Sequence, residues 1–184
     1  MLQFYKPTQK NTGSACSFAL AQDNQGVMLS FVRQKSWDAS SGKGRFHTSK
    51  KEDGNMADGE ENAATVKLSR TEVAGILDSI ESNRKWDAFH QYNEKDTSIH
   101  FGPYRKSRKD PKTSKWEEYG DQVGFSLSVV KSKPKKSSFR IGFTFPESRL
   151  LKHELEDFLS QTIKEFKFKR ERSRTDDAVE DLLG

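Results

Sequence analysis

Cysteine is nearly absent from the sequence, and the single residue Cys16 excludes an internal disulfide. One cysteine also cannot build the Cys/His patterns of zinc sites. We expect Cys16 to be a buried small hydrophobic residue and not a nucleophile, in an intracellular, reducing compartment.

Long apolar runs are also missing. Hydrophobic residues make up 32% of the chain, and no run approaches the length that spans a bilayer. Met1 leads directly into Leu2-Gln3-Phe4-Tyr5, without the apolar core of a signal peptide. We therefore expect no membrane partner.

The sequence also lacks recognisable catalytic motifs. The four histidines, His47, His90, His100 and His153, lie in separate segments without metal-ligand spacing, and the chain has no Walker loop and no nucleophile elbow. We predict no catalytic residues, no metal and no cofactor. A metal-dependent nuclease with dispersed carboxylates is the enzymatic alternative.

Aromatic residues and positive charge are abundant instead. Aromatics are 11% of the chain, with thirteen phenylalanines, which favours a folded, Phe-filled core over disorder. The net charge is +5 although the chain after Arg174 carries only acidic side chains, Asp176, Asp177, Glu180 and Asp181. A basic body with an acidic end indicates a polyanionic partner.

The hydrophobic patterns predict an α+β fold. Ser69 and Glu72 form a capping-box pattern, which starts a helix that Asn83 ends. A second helix begins near Pro146. Alternating apolar residues predict four strands before each helix, at 2–6, 15–21, 27–35 and 65–68 in the first half, and around 86–92, 98–101, 123–129 and 139–145 in the second.

The chain therefore contains two β4α repeats with antiparallel sheets. We predict one domain over residues 1–170, with halves 1–83 and 84–170, and a disordered acidic tail over 171–184. Two polar excursions, 36–63 and 104–121, are predicted to be long functional or mobile loops.

Basic residues cluster in these two loops and at the last hairpin, around Lys131, Lys133, Lys135, Lys136 and Arg140. Aromatic residues stand beside basic ones in the sequence, as in Lys85-Trp86 and Tyr104-Arg105. Binding of single strands needs a flat ring to stack an unpaired base and a cation for its phosphate. The predicted contact residues are Lys35, Trp37, Lys43, Arg45, Phe46, Lys67, Trp86, Tyr92, Tyr104, Arg105 and Lys106. The alternative for each ring is a place in the core, which is where rings of this kind are more often found.

The order of elements resembles the Whirly superfamily of single-stranded-DNA-binding proteins, and each β4α unit resembles the domain of the positive-cofactor-four coactivator. The segment Val66-Lys-Leu-Ser-Arg-Thr-Glu-Val-Ala-Gly75 is similar to the Whirly strand-to-helix junction. The resemblance implies two sheets packed roughly crosswise with the helices inside, homo-oligomers (tetramers or dimers) with strands crossing sheet edges, and sequence-tolerant binding of single strands.

The acidic tail is similar to those of bacterial and phage single-strand-binding proteins. It implies contacts with replication or recombination proteins and a nucleoid-associated setting in bacterial or phage-infected cytoplasm. We therefore expect a single-stranded-DNA-binding protein of replication, recombination or repair. The alternatives are an RNA-binding or transcription-regulating protein of the same superfamily, and an interaction scaffold that acts through the tail.

Overall fold

The computed structural model describes residues 1–47, 61–92, 95–110, 113–132 and 136–183. In the first half its elements are β1 (Leu2–Lys6), β2 (Ser14–Leu20), β3 (Gly26–Asp38), β4 (Lys43–Phe46), β5 (Ala63–Ser69) and α1 (Arg70–Ser82). In the second half they are β6 (Trp86–Tyr92), β7 (Lys95–Lys109), β8 (Trp116–Lys131), β9 (Ser137–Thr144) and α2 (Phe145–Leu183).

Each half forms one antiparallel sheet followed by a helix. In the first sheet β3 is central: its beginning pairs with β2 and β5, and its end pairs with β4. β1 pairs with the outer side of β2. The second sheet has the order β6-β7-β8-β9. The predicted α+β class and the succession of strands and helices are confirmed, with β4 as an additional short strand.

The prediction that the two polar excursions are loops is wrong where they form strands, at 36–38 and 43–46 in the first and at 104–109 and 116–121 in the second. The end of β3 and β4 form a two-stranded extension of the first sheet, the β3–β4 ribbon. In the second sheet β7 and β8 continue their pairing as far as Lys109 and Trp116, which makes a β7–β8 ribbon. Both faces of such ribbons meet solvent, so they lack the apolar alternation that marks a half-buried strand. Residues 48–60 of the first excursion lie outside the described residues.

One hydrophobic core joins both sheets and both helices. Alternate residues of the central strands point into it, for example Leu29 and Phe31 of β3 and Leu127 of β8, all fully buried. The intervening side chains point outward, as the pleat of a strand requires. The fold therefore has two outer sheet faces that are free of the core.

The two helices begin with equivalent capping contacts. The Ser69 side chain accepts from the Glu72 amide and the Glu72 carboxylate accepts from the Ser69 amide, which confirms the predicted capping box. At the start of α2, the Glu147 carboxylate accepts from the Thr144 amide at 2.8 Å. Asn83 ends α1 in the left-handed conformation, as predicted.

Each capping carboxylate also binds the first strand of the other half. His90 of β6 contacts Glu72 at the start of α1, and Lys6 of β1 binds Glu147 at the start of α2. Arg33 adds a third link, because it donates to the Ser138 carbonyl at 2.8 Å and lies over the Phe139 ring. These contacts fix the halves relative to each other.

We predict that these capping carboxylates make stability depend on acid. Burial raises the pKa of Glu72 and Glu147, but the hydrogen bonds from His90 and Lys6, and from the cap residues, outweigh it and hold both pKa values below 4.5. A lowered folded-state pKa stabilises above the unfolded-state pKa, and this contribution is lost as pH falls through the folded-state pKa. The E72Q/E147Q double variant should therefore lose less stability than the parent protein between about pH 6 and about pH 3.

Urea unfolding at several pH values, followed by tryptophan fluorescence, measures this difference. The E117Q variant of an exposed carboxylate on β8 is the control and should keep the parental pH dependence. An unchanged acid dependence in E72Q/E147Q would show that other groups control acid unfolding.

The backbone of α2 extends further than expected. The structure gives its end as Leu183, whereas the sequence indicated a disordered tail over 171–184. Ala, Leu, Glu and Arg residues in this segment favour helix. Among the described helices, none combines the length and the apolar composition of a membrane span.

Candidate nucleic-acid interface

The outer face of the first sheet has a floor of small side chains. Ser17, Ser30 and Thr65 lie next to one another across β2, β3 and β5. The Ser30 and Thr65 hydroxyls are 3.4 Å apart. A floor without bulky groups lets a chain approach the sheet closely.

Aromatic rings stand at one end of this floor. Tyr5 is 55% exposed and packs edge-on against Phe46, with ring centroids 5.6 Å apart. Trp37 pairs with Gly44, two residues before Phe46 in β4, so the indole and the Phe46 ring share a face of the ribbon. The structure thus brings two predicted rings, Trp37 and Phe46, to the same surface as Tyr5.

A buried amide holds the ribbon in place. The Gln34 carbonyl oxygen accepts from the Thr8 amide at 2.8 Å and from the Gly13 amide at 3.2 Å. Its nitrogen donates to the Thr8 carbonyl at 2.9 Å and to the Ser36 carbonyl at 3.1 Å. The register shifts between Gln34 and Ser36, so Gln34 connects the bulge to the loop that follows β1.

The predicted cations of the first half divide into two groups. Lys35, Lys43 and Arg45 are exposed on the β3–β4 ribbon. Arg45 pairs with Ser36, on the face opposite Phe46. Lys67 lies on the outer face but binds Asp23, and its hydrogen bond lowers the pKa of that carboxyl. Lys67 is therefore partly neutralised.

The outer face of the second sheet carries an open groove of about 530 Å³. Gly102 and Ser126 line the groove, and Gly142 of β9 continues this row across the sheet. The next row is polar and consists of Asp87, His100, Ser128 and Arg140. Asp87 binds the His100 ring at Nδ1, and Lys85 lines the same groove.

A ring and a cation meet above this floor. The Arg140 guanidinium lies over the Tyr104 ring, 5.2 Å from its centroid. Arg140 also donates to the Ser126 hydroxyl at 3.4 Å. The Tyr104 ring leans toward Gly142, where an added Cβ would sit 3.7 Å from the ring edge. We call the outer face with Tyr104, His100 and Arg140 the second face.

The β7–β8 ribbon rises beside the second face. Register shifts on both sides of Arg105 turn the ribbon, and Arg105, Ser107 and Glu118 line a groove together with Arg140. Arg108 lies over the Tyr119 ring at 5.3 Å, and Lys106 pairs with Tyr119. Both predicted cations, Arg105 and Lys106, are exposed on this ribbon.

One predicted ring, Trp86, packs inward and lies on neither outer face. A Cβ added to Gly75 of α1 would lie 2.1 Å from the Trp86 indole nitrogen, so the indole packs against the helix and the core. This contact gives Trp86 a packing role. Tyr92 belongs to β6, but its side chain lies outside the described residues.

The sequence reasoning missed Tyr5, His100 and Arg140 as site residues. For His100 and Arg140 the signal was the small or polar side chains between the core positions of β7 to β9, which mark an outer face. Within the described part of the chain, no three His, Cys, Asp or Glu side chains converge as they do at a metal site.

The fold and its two open faces define a class of α+β protein in which two β4α sheets share one core. No protein-family model matches the sequence, and a search of curated proteins finds no match to it. Solved structures nevertheless match, and they give the chain a Whirly-like fold, as the resemblance implied.

Three of these structures show how far the likeness extends. Trypanosoma brucei MRP1/MRP2 is 18% identical with a TM-score of 0.56 and covers 86% of this chain and 82% of its own. Arabidopsis thaliana WHY1 is 14% identical with a TM-score of 0.56 and covers 95% and 90%. The plant transcriptional regulator PBF-2 is 12% identical with a TM-score of 0.55 and covers 92% and 85%. These plant and trypanosome proteins give no support to the predicted bacterial or phage origin.

Proposed function

We propose that the chain binds single-stranded nucleic acid, with DNA as the first candidate, across the outer faces of its two sheets. The observation that carries the proposal is the Tyr104 ring beside the Arg140 guanidinium on a floor of small residues. The ring offers a stacking surface to an unpaired base, and the cation offers a charge to its phosphate.

The outer face of the first sheet supports the same use. Tyr5, Phe46 and Trp37 supply rings there. Lys35 is an exposed cation on the same ribbon, whereas Arg45 lies on the opposite face of the ribbon. Stacking and phosphate contacts do not read base edges, so most of the binding is independent of sequence. The role is binding and not catalysis, in homo-oligomers that place several such faces along one strand.

The proposed binding fits two biological roles. A role in replication, recombination or repair requires binding to any exposed single strand. A role in transcription is the second candidate, favoured by the likeness to the plant transcriptional regulator PBF-2. RNA is the alternative ligand in both cases.

We predict that a fluorescent oligothymidine binds and that its affinity falls with salt. About four phosphate contacts would lower the affinity about 50-fold between about 50 and about 200 mM salt, because each contact releases counterions from the strand. A residual, salt-insensitive part should remain from stacking. Fluorescence anisotropy at two salt concentrations measures both parts.

Unlabelled competitors sharpen the test. Single-stranded DNA should displace the probe, duplex DNA of the same length should compete poorly, and matched RNA separates the two candidate ligands. Absence of binding at low salt, or equal competition by duplex, contradicts the proposal.

A further inference from the structure

Glu118 places a negative charge on a surface that we propose binds a polyanion. Glu118 of the β7–β8 ribbon lines the groove with Arg105, Ser107 and Arg140, and it also lines the larger groove with Lys85 and His100. The side chain is exposed. Among the described residues, no hydrogen bond or ion pair uses its carboxylate.

The ribbon directs Glu118, but not its neighbour, toward this groove. Glu118 pairs with Ser107, and both line the groove. Glu117 pairs with Arg108 one step further along the ribbon, and consecutive residues of a strand point to opposite faces. Glu117 is therefore a matched carboxylate on the opposite face.

The groove contains the other parts of a nucleotide site. Arg105 and Arg140 line the groove and offer charge to phosphates. The Tyr104 ring lies next to the groove, 5.2 Å from the Arg140 guanidinium, and offers a surface for stacking. The small side chains of Ser126 and Ser128 line the adjoining larger groove. A base stacked there has its edge free, because single strands expose the edges that a duplex hides.

We propose that Glu118 makes this groove a guanine-selective subsite within an otherwise sequence-tolerant interface. The proposal rests on the proposed binding of single strands. An ionised carboxylate only accepts hydrogen bonds, through two oxygens. Guanine alone presents two adjacent donors on its pairing edge, the ring N1–H and the 2-amino group.

The other bases fit this acceptor less well. Cytosine and adenine each place an amino donor next to a ring-nitrogen acceptor, which repels the second carboxylate oxygen. Thymine and uracil flank a single N–H with two carbonyl oxygens. A well-placed pair of hydrogen bonds to a base discriminates by about fivefold to about 100-fold.

The test compares oligothymidine with the same oligomer carrying one central guanosine, and with one carrying inosine, which lacks the 2-amino group. We expect the parent protein to bind the guanosine oligomer about tenfold more tightly than oligothymidine, with inosine between them. The E118Q variant should lose this preference and bind oligothymidine at least as tightly as the parent. The E117Q variant should keep the preference.

Two results would overturn the inference while leaving single-strand binding intact. One is equal affinity of the parent protein for all three oligomers. The other is a uniform gain in affinity for E118Q with the guanine preference retained, which would mean that Glu118 acts only through its charge. Failure of every oligomer to bind would overturn the proposed function and the inference together.

Discussion

Replacing Tyr104 by Ala and Arg140 by Gln in one protein is expected to weaken binding of oligothymidine about 100-fold. The Tyr104 ring should contribute about 1–3 kcal/mol by stacking one base. Arg140 should contribute a charge-assisted contact of about 1.5–3 kcal/mol to a phosphate. Because the guanidinium lies over the ring, the two side chains support each other, and their effects should not be strictly additive.

The salt dependence separates the two contributions. Loss of Arg140 removes one phosphate contact and should reduce the salt slope by about 0.7, whereas Tyr104→Ala alone should leave the slope unchanged. Anisotropy titrations of the single and double variants at several salt concentrations measure both effects, with circular dichroism as the check on folding.

A charge-matched control removes an arginine away from both faces. Arg84 is exposed and pairs with Asp78 of α1, so Arg84→Gln should change the affinity by less than about twofold. If the double variant binds as tightly as this control, the second face is not the interface.

The strands and helices that could be predicted are those with one buried side. The capping box at Ser69 and Glu72 and the proline at Pro146 locate the starts of the two helices correctly. The alternation in β8 and β9 locates these strands, because burial on one face imposes a pattern on the sequence. The β7–β8 ribbon has no buried face, and Arg105 to Lys109 carry no such pattern. Its strands exist because Trp116 to Gln122 pair with them across the turn, and pairing partners cannot be found from composition.

The contacts within the candidate site also depend on strand pairing, which the sequence alone does not give. The prediction paired rings and cations that are neighbours in the sequence, but consecutive residues of a strand face opposite sides. Lys85 lines the groove while Trp86, the next residue, packs on Gly75 of α1. Tyr104 was predicted beside Arg105, its neighbour in the sequence, yet the cation over its ring is Arg140 of β9. Cross-strand register, which the sequence does not display, decides which charge meets which ring.

Substituting Gly124 by Ala is expected to cost about 3 kcal/mol or more of stability. Gly124 has φ +149°, a conformation that side-chain-bearing residues rarely adopt. A Cβ there would lie 1.9 Å from the Phe143 carbonyl oxygen of β9, and backbone cannot move aside as a flexible side chain can. Because Gly124 pairs with Tyr104, the variant should also disturb the point where the ribbon leaves the sheet.

Gly120 of the same strand is a control that separates the cost of the backbone conformation from the cost of the steric contact. Its φ is +72°, but an added Cβ would meet nothing within 4 Å, so Gly120→Ala should cost only about 1 kcal/mol through its backbone conformation. Thermal unfolding should place the midpoint of Gly124→Ala about 5 °C or more below that of Gly120→Ala. Equal midpoints would mean that the backbone of β9 yields to the new methyl group, and that close approach of β8 and β9 at this position is not what requires glycine.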